Sequence, residues 1–220
     1  MKRVLTGFLA VFLLVWLSGC ASMNRTEKGA VIGAGGGALV GGLIGKAAGN
    51  TALGAILGAV VGGAAGAYIG HYMDKQAAEM RRDLEGAKVE RIGEGIKITF
   101  DSGLLFDVDK ASLRDMSKDN LGQLAAILNK YPDTNILIEG HTDSTGGDNY
   151  NLELSRRRAE SVGHYLATQE VSAARFSMMG YGEEQPVATN DTPGGRQQNR
   201  RVDLAIMAND KLKKAAREKG

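Results

Sequence analysis

The sequence predicts an α/β (α+β) fold, a two-layer sandwich of βαβαβ order over residues 92–208, preceded by a glycine-rich helical hairpin over residues 29–73. Three observations lead to this prediction. Stretches with period-two alternation and stretches with helical apolar periodicity follow one another through the C-terminal half. Glycine recurs every four residues between positions 29 and 70. Residues 74–91 are rich in charge and in helix formers, which predicts a charged helical linker between the two parts.

Residues 1–19 have the three parts of a secretory signal peptide. Lys2 and Arg3 give it a charged start, and the stretch Val4–Leu17 is apolar apart from one threonine and one glycine. This run is shorter than the roughly 20 residues of a membrane span, so a cleaved export signal is favoured. Cys20, the only cysteine, lies at the cleavage point. A lone cysteine excludes an internal disulfide and points to another use of the thiol.

The tetrapeptide Leu17-Ser18-Gly19-Cys20 resembles the bacterial lipobox. The resemblance implies lipidation of Cys20, through a diacylglyceryl thioether and an acyl chain such as palmitate on the new N-terminus, and makes residues 20–28 a lipidated linker. Ala21 stands where an aspartate typically retains a lipoprotein in the inner membrane. The resemblance therefore implies a lipid anchor in the outer membrane with the globular domain in the periplasm. The alternative is an ordinary signal peptide with a stray cysteine.

The charge balance excludes a bulk polyanion binder. The chain has 27 lysines and arginines against 25 acidic residues, and the signal peptide holds two of the basic ones. The remaining chain is formally neutral, so no nucleic-acid partner is expected. The basic tail, residues 209–220, is the one strong run of charge, and we interpret it as a solvated terminus.

The glycine-rich segment predicts a membrane hairpin. Glycine occupies every fourth position from Gly29 to Gly49 and again from Gly54 to Gly70. Glycine costs a soluble helix about 1 kcal/mol relative to alanine, whereas lipid enforces helix and a stripe of small residues lets helices approach closely. The break at Gly49-Asn50-Thr51 suits a turn. The segment resembles the glycine-zipper hairpin of envelope lipoproteins, which leaves a homo-oligomer open; a flexible glycine-rich linker is the alternative.

The first half of the C-terminal domain contains two strands and a helix. Gly95–Phe100 alternates with period two, and Thr134–Glu139 is rich in β-branched and apolar residues, so both predict strands. Between them, Ser112 is a plausible N-cap for a helix. The helix has a broad apolar face made of Leu113, Met116, Leu121, Leu124 and Leu128.

The second half contains a helix and two strands. Residues 151–169 predict a helix whose core face is Ser155, Ala159, Val162 and Leu166. A short strand is predicted at 174–179, and the alternating stretch 201–206 predicts the last strand. One sheet with two main helices on one face is the resulting architecture.

The candidate binding site lies between the second strand and the second helix. Asp143 follows the strand and precedes a glycine-containing loop, and Asn151, Leu154 and Arg158 share one helical face at spacing i, i+3, i+7. Arg158 can grip a carboxylate with two parallel donors, and Asp143 can accept an ammonium. The pair therefore suits a zwitterion. From spacing alone, a loop-capping Asp143 and a merely exposed Arg158 remain equally open.

The domain resembles the OmpA-like peptidoglycan-binding domain, which also occurs in peptidoglycan-associated lipoproteins and flagellar stator proteins. The matching blocks are Phe106-Asp107-Val108-Asp109-Lys110, Glu139-Gly140-His141-Thr142-Asp143, Tyr150-Asn151, Leu154-Ser155, Arg158-Ala159, Gly180-Tyr181-Gly182-Glu183, Pro186, Asn190 and Asn199-Arg200-Arg201-Val202.

The resemblance implies non-covalent binding of the diaminopimelate-containing peptide stem of peptidoglycan, with Asp143 and Arg158 as the clamp. It places further ligand contacts at Asp109, Thr145 and Asn151. It gives Arg200 and Arg201 a partly structural role, while Arg156 and Arg157 are interpreted as solvated helix charges. An outer-membrane lipoprotein that tethers the membrane to the cell wall is the function implied. A sensor that couples wall binding to a periplasmic partner, and an oligomerising membrane assembly held at the wall, are the alternatives.

No residue pattern predicts an enzyme, a metal site or a cofactor. The three histidines lack metal-ligand spacing, and Ser144 beside His141 and Asp143 lies on one extended stretch without a nucleophile elbow. Gly41–Ala47 imitates a phosphate-binding loop, but it is one spacer short and has Ala47 where a Ser or Thr is required. We therefore predict no catalytic residues and no nucleotide.

Overall fold

The computed structural model describes residues 50–219 of the chain. Cys20 and the first half of the predicted hairpin lie outside these residues. The described elements are α1 (Thr51–Gly58), α2 (Gly63–Asp83), β1 (Ala87–Ile92), β2 (Gly95–Asp101), α3 (Ser102–Leu105), α4 (Asp115–Lys130), β3 (Thr134–Gly140), α5 (Asp148–Thr168), β4 (Phe176–Gly180), α6 (Pro193–Asn199), β5 (Arg201–Ala208) and α7 (Asp210–Lys219).

A five-stranded sheet in the order β1-β2-β5-β3-β4 confirms the predicted α/β fold class. Neighbouring strands are antiparallel except β3 and β4, which are parallel and joined through α5. Because β3 and β4 run in the same direction, both end at the same edge of the sheet. The chain that leaves β3 there carries Asp143, so this edge is where the predicted site forms.

The main core lies between one face of the sheet and the helices α2, α4 and α5. Its sheet side is made by Ile96, Ile98, Phe100, Ile136, Ile138, Val202, Leu204 and Ile206. The predicted core face of α5 is confirmed, since Ser155, Ala159, Val162 and Leu166 are all fully buried. α7, formed by the basic tail, packs Leu212 and Ala216 into the same core. The tail is therefore an ordered helix rather than a loose terminus.

The predicted start of α4 is wrong. Leu113 forms an isolated antiparallel bridge with Phe106, so the chain is still extended there and Ser112 does not cap the helix. Arg114 is the residue that precedes the helix, and the Ser117 hydroxyl donates to its carbonyl at 2.6 Å. In the first turn Ser117 is buried, but the face that carries Met116 is exposed. Met116, which was expected on the apolar face, is 78% exposed.

The second half of the glycine-rich segment packs on the sheet as two separate helices. Ala52, Ala55 and Ile56 of α1 are buried against Ala205 and Met207 of β5, on the face opposite to the main core. α1 ends at Gly58, and Gly62 and Gly63, which both adopt positive φ, turn the chain into α2. Among residues 50–219, no helix is long and apolar enough to cross a membrane. The packing of α1 and α2 on the sheet makes this half part of the globular unit.

The predicted division between hairpin and linker at residues 73 and 74 falls inside α2. Ile69, Met73 and Ala77 form one buried stripe that runs through the division, because the apolar i, i+4 spacing continues into the charged stretch. The predicted helical linker then supplies the edge strand β1 after Gly86, whose φ is +68°. The sheet therefore begins before residue 92, where the domain was expected to start.

Candidate ligand-binding site

A cavity of about 410 Å³ opens at the edge where β3 ends. The chain after β3, the first three turns of α5 and the segment between α3 and α4 form its walls. All five residues predicted as ligand contacts line it, together with Arg200; the full lining is Ser102, Gly103, Phe106, Asp107, Val108, Asp109, Thr142, Asp143, Thr145, Asn151, Leu154, Arg158 and Arg200. The fold thus brings the predicted contacts together, and their contact with a ligand stays a prediction.

Asp143 is held rigidly as a carboxylate. Its side chain is 8% exposed, its Oδ1 accepts the backbone N–H of Thr145 at 2.9 Å, and its Oδ2 is paired with Arg200. Burial on its own would raise the pKa of Asp143, but the Thr145 N–H and the Arg200 guanidinium outweigh burial and lower it. The group is therefore ionised at neutral pH and aimed at the cavity.

Arg158 reaches the cavity from the third turn of α5, on the face it shares with Asn151 and Leu154. It is only 5% exposed, its guanidinium lies over the Phe106 ring at 5.2 Å, and its Nε donates to the Lys110 carbonyl at 2.9 Å. Its Nη1 and Nη2 donate to no other residue in the described part of the chain. Burial lowers the pKa of Arg158, with Asp109 and Tyr150 acting in the opposite direction. An arginine titrates so far above neutrality that it stays charged.

Asn151 links the two sides of the cavity floor. Its Nδ2 donates to the Asp143 carbonyl at 3.3 Å and to Glu183 Oε2 at 2.6 Å, and its side chain is buried. Glu183 belongs to the loop after β4, where Gly182 accepts the Thr142 N–H and donates to the Ser155 hydroxyl. The loop, β3 and α5 are therefore tied into one frame. Asn151 has a structural role here, whatever it contributes to a ligand.

The segment between α3 and α4 forms the outer wall. Asp109 adopts a left-handed backbone with φ of 57°, which costs a non-glycine residue about 1 kcal/mol. The following residue is Lys110, whose carbonyl receives the Arg158 Nε. Asp107 faces Lys110 and Arg114 at 3.5 and 3.7 Å, so its charge is compensated at the rim. Val108 is 86% exposed beside the cavity mouth.

Arg200 lies in the cavity beside the predicted contact residues. The two adjacent arginines of the Asn199-Arg200-Arg201 block face different places: Arg200 lines the cavity, and Arg201 is buried and pairs with Asp203 at 3.0 Å. Period two along β5 separates them, since Arg201 and Asp203 lie on the sheet face that α1 covers. The partly structural role therefore fits Arg201. The alternation of β5 was the one sequence signal that could have separated the two arginines.

A second polar cluster lies buried beneath α1. Glu139, His141 and Asp203 place three potential metal ligands within 4.8 Å, all of them 1% exposed. Asp203 also accepts from Thr99 at 2.6 Å, Lys97 at 3.1 Å and Arg201 at 3.0 Å. Lys97 and Arg201 compensate the charge of Asp203, which disfavours a divalent ion at this place. Glu139 Oε1 and both ring nitrogens of His141 have no hydrogen-bond partner among the described residues.

His141 is separated from Asp143 and Ser144 in the structure. It stacks on Tyr181, with ring centroids 5.6 Å apart, and its Nε2 lies 3.7 Å from Glu139. Burial lowers the pKa of His141 to about 3, whereas burial and Asp203 raise the pKa of Glu139 to about 8. Both groups are therefore neutral near pH 7. The serine, histidine and aspartate do not form a catalytic triad.

The comparisons with known proteins match two parts of the chain. The model of the OmpA family matches residues 105–200, and the YMGG-like Gly-zipper model matches residues 1–74. The "Probable lipoprotein YiaD" of Escherichia coli strain K12 is 39% identical to this chain over the matched region. The match covers 61% of this chain and 63% of that protein, so the chain spans just under two thirds of its length.

Two further relatives are matched over most of their length. The "Peptidoglycan-associated lipoprotein" of Agrobacterium fabrum is 34% identical over 59% of this chain and 73% of its own. The solved cell wall anchor of the T6SS from Pseudomonas aeruginosa is 30% identical, with a TM-score of 0.55 over 62% of this chain and 96% of its own. With its fold, its cavity and these matches in agreement, the chain belongs to the OmpA family.

Proposed function

We propose that this protein is an outer-membrane lipoprotein that binds the diaminopimelate-containing peptide stem of peptidoglycan and tethers the membrane to the cell wall. One observation carries the proposal: a single cavity presents the ionised Asp143 carboxylate together with the open Nη1 and Nη2 donors of Arg158. A zwitterionic amino-acid head group matches this pair. The relatives named a peptidoglycan-associated lipoprotein and a cell wall anchor support the same ligand.

Arg158 would bind the ligand carboxylate. Its Nε is already held by Lys110 and its plane by the Phe106 ring, so the two free nitrogens keep one orientation without further ordering. A planar fork of this kind suits two parallel hydrogen bonds to a carboxylate. Because the group is only 5% exposed, the interaction is screened less than a surface ion pair, which contributes about 0 to 1 kcal/mol.

Asp143 would bind the ligand ammonium. The Thr145 N–H and Arg200 fix the carboxylate, and each carboxylate oxygen can accept a further hydrogen bond. A simple cation or anion would satisfy only one end of the cavity, whereas a zwitterion satisfies both. Asp109 and Thr145, which line the cavity mouth, would contact the parts of the ligand nearest solvent.

The lipid anchor is the second half of the proposal. Acylation of Cys20 would hold the chain on the outer membrane, since each buried methylene contributes about 0.8 kcal/mol and two or more chains anchor stably. The glycine-zipper match over residues 1–74 is consistent with an envelope protein. Mass spectrometry of the purified protein tests this half, because a Cys20→Ser variant should lose the diacylglyceryl mass and remain in the soluble fraction.

Co-sedimentation with purified sacculi tests wall binding. We expect Asp143→Ala and Arg158→Ala to bind at least about tenfold more weakly than wild type, as the loss of a charged partner from a buried pair predicts. Arg157→Ala is the matched control, because Arg157 is the exposed neighbour of Arg158 and does not line the cavity. If both cavity variants co-sediment as well as the control, the cavity is not the wall-binding site.

A further inference from the structure

The loop of residues 181–186, which follows β4, connects the candidate site to α1. On the cavity side, Glu183 Oε2 accepts from Asn151 Nδ2 at 2.6 Å, and Asn151 lines the cavity. On the other side, Gln185 Oε1 accepts the Thr51 N–H, and Gln185 Nε2 donates to the Thr51 hydroxyl. Because only one residue separates Glu183 from Gln185, a backbone shift at one position moves the other as well.

Gln185 depends on α1 for its side-chain hydrogen bonds. The residue is 3% exposed, and among residues 50–219 its amide group forms hydrogen bonds with Thr51 alone. Its carbonyl accepts from Arg201 Nη2 at 3.1 Å, so its backbone is tied to β5. If α1 left the sheet, the amide would be buried without a partner, which costs more than the hydrogen bonds themselves contribute. The loop would therefore have to rearrange to hydrate this side chain.

α1 is held on the sheet by a small margin. It has eight residues, fewer than the roughly 12 to 15 at which an isolated helix becomes marginally stable in water. Its buried apolar side chains are Ala52, Ala55 and Ile56, of which two are single methyl groups. Beneath it, Glu139 Oε1 and both ring nitrogens of His141 have no hydrogen-bond partner among the described residues. Because undocking hydrates these polar atoms and offsets part of the lost apolar burial, α1 opens at a lower free energy than the whole domain unfolds.

We propose that Gln185 is a positioning residue that couples the docking of α1 on the sheet to ligand binding in the cavity, so that each favours the other. This inference rests on the proposed function and adds regulation of the same site. A docked α1 fixes Gln185 and thereby Glu183. Glu183 in turn holds Asn151, whose Nδ2 also donates to the Asp143 carbonyl at the cavity.

The coupling acts in both directions, because an effect of α1 docking on ligand affinity requires an equal effect of the ligand on docking. A bound ligand would therefore hold α1 on the sheet. Occupancy of the wall-binding site would thus determine how often the second half of the glycine-rich segment leaves the globular unit.

Hydrogen exchange of the unmodified full-length protein in detergent tests this effect of the ligand. The probe is a synthetic peptide that ends in diaminopimelate. At saturating peptide we expect the backbone amides of residues 54–58 in α1 to exchange about tenfold more slowly than without it, within the usual range of coupling between two sites. The amides of α7, which packs on α2 and β5, should exchange at an unchanged rate. In Arg158→Ala, which should not bind, the same peptide concentration should slow neither helix.

The matched variants Thr51→Val and Thr51→Ser test the role of Gln185. Valine has the shape of threonine but leaves Gln185 Nε2 buried without its acceptor, whereas serine keeps the hydroxyl. By calorimetry we expect Thr51→Val to bind the peptide about fivefold more weakly than wild type, and Thr51→Ser to bind within about twofold of wild type. A loss of global stability alone would leave the affinity of the folded protein unchanged, so the affinity separates positioning from structural support.

The possible failures are distinguishable. If wild type binds the peptide but α1 exchanges at the same rate with and without it, the two sites are not coupled; the inference is then overturned and the proposed function stands. Unchanged binding by Thr51→Val, or equal weakening in Thr51→Val and Thr51→Ser, overturns the role given to Gln185. If wild type does not bind the peptide, the proposed function itself fails and the inference falls with it. Should Thr51→Val not fold, the exchange measurement decides, since it needs no change at position 51.

Discussion

Thr51 and Gln185 are joined by two hydrogen bonds across 134 positions of the chain. The Thr51 N–H donates to Gln185 Oε1 at 3.1 Å, and Gln185 Nε2 donates to the Thr51 hydroxyl at 2.7 Å. Both residues are buried. The start of α1 is therefore fixed to the loop that follows β4, two residues from Glu183, which holds Asn151 in the cavity. The second half of the glycine-rich segment and the candidate binding site therefore share one framework.

The packing of α1 on the sheet predicts a specific pattern of chemical labelling. Ala55 is 2% exposed and faces β5, whereas Leu57 on the same helix is 53% exposed. In full-length protein reconstituted into liposomes, we expect Leu57→Cys to react freely with a membrane-impermeant maleimide and Ala55→Cys to react slowly. Protection of both positions until detergent is added would place this helix in lipid and contradict the described packing.

Two glycines let α5 approach the ends of β3 and β4. A Cβ on Gly140 would overlap the Ser155 carbonyl, and a Cβ on Gly180 would overlap the backbone N of Arg156. We therefore expect Gly140→Ala to lower the free energy of unfolding by about 3 kcal/mol, the upper range for an overpacked site that cannot relax. Urea denaturation of the full-length chain in detergent measures this change.

Gly194→Ala is the control for Gly140→Ala. Gly194 lies in α6, and a Cβ there would meet no atom within 4 Å. Alanine also has a higher helix propensity than glycine, so this variant should be as stable as wild type or gain up to about 1 kcal/mol. Equal stability of the two alanine variants would show that the strand–helix contact is looser than described.

Much of the fold and most of the site could be predicted from the sequence. Period two revealed β2 and β5, and β-branched and apolar composition revealed β3. The spacing of Asn151, Leu154 and Arg158 placed them on one face of α5, and all three line the cavity. Local sequence pattern was not sufficient where packing against residues distant in the chain determines the structure. Glycine-rich α1 is stabilised by Ala205 and Met207, about 150 residues away along the chain, so its sequence by itself resembles a membrane segment.

The site prediction missed Arg200 for a related reason. Its proximity to Asp143 comes from the pairing of β5 with β3, in which Gly140 lies opposite Val202. No sequence-local spacing connects positions 143 and 200. The buried polar cluster of Glu139, His141 and Asp203 was likewise not predicted, because polar residues alternating along a strand suggest a solvated face, and α1 covers that face here.

The neutral pair Glu139 and His141 predicts an unusual dependence of stability on pH. The folded pKa of Glu139 is raised from 4.5 to about 8, so its contribution is fully present below pH 4.5 and is lost as the pH rises to about 8. The folded pKa of His141 is lowered from 6.5 to about 3, so its contribution is present above pH 6.5 and is lost as the pH falls. Between pH 4.5 and 6.5 the two effects oppose each other, and above 6.5 only Glu139 titrates.

Glu139→Gln should therefore remove the alkaline loss of stability. Between pH 6.5 and 8, we expect the free energy of unfolding of wild type to fall by about 1 to 2 kcal/mol, and that of Glu139→Gln to stay level. Glu218→Gln is the control, since Glu218 is an exposed acid on α7. Denaturant titrations at the two pH values give the comparison; a parallel decline in all three proteins would assign the pH dependence to other groups.

Asp143 predicts how wall binding responds to acid. The pKa of Asp143 in the folded protein lies below 3.8. Its charge, and the stability that its pair with Arg200 contributes, is therefore present above pH 3.8 and is lost only as the pH falls through the lowered pKa. Carboxylates of the sacculus titrate in the same range, so the informative quantity is the difference between variants. Arg200→Gln removes a cause of the lowered pKa of Asp143 and should shift the acid limb of binding to higher pH, while Arg157→Gln leaves it unchanged. Co-sedimentation between about pH 3 and pH 7 measures the low-pH part of the binding curve. If the two variants lose binding at the same pH, the group whose titration limits binding is not Asp143.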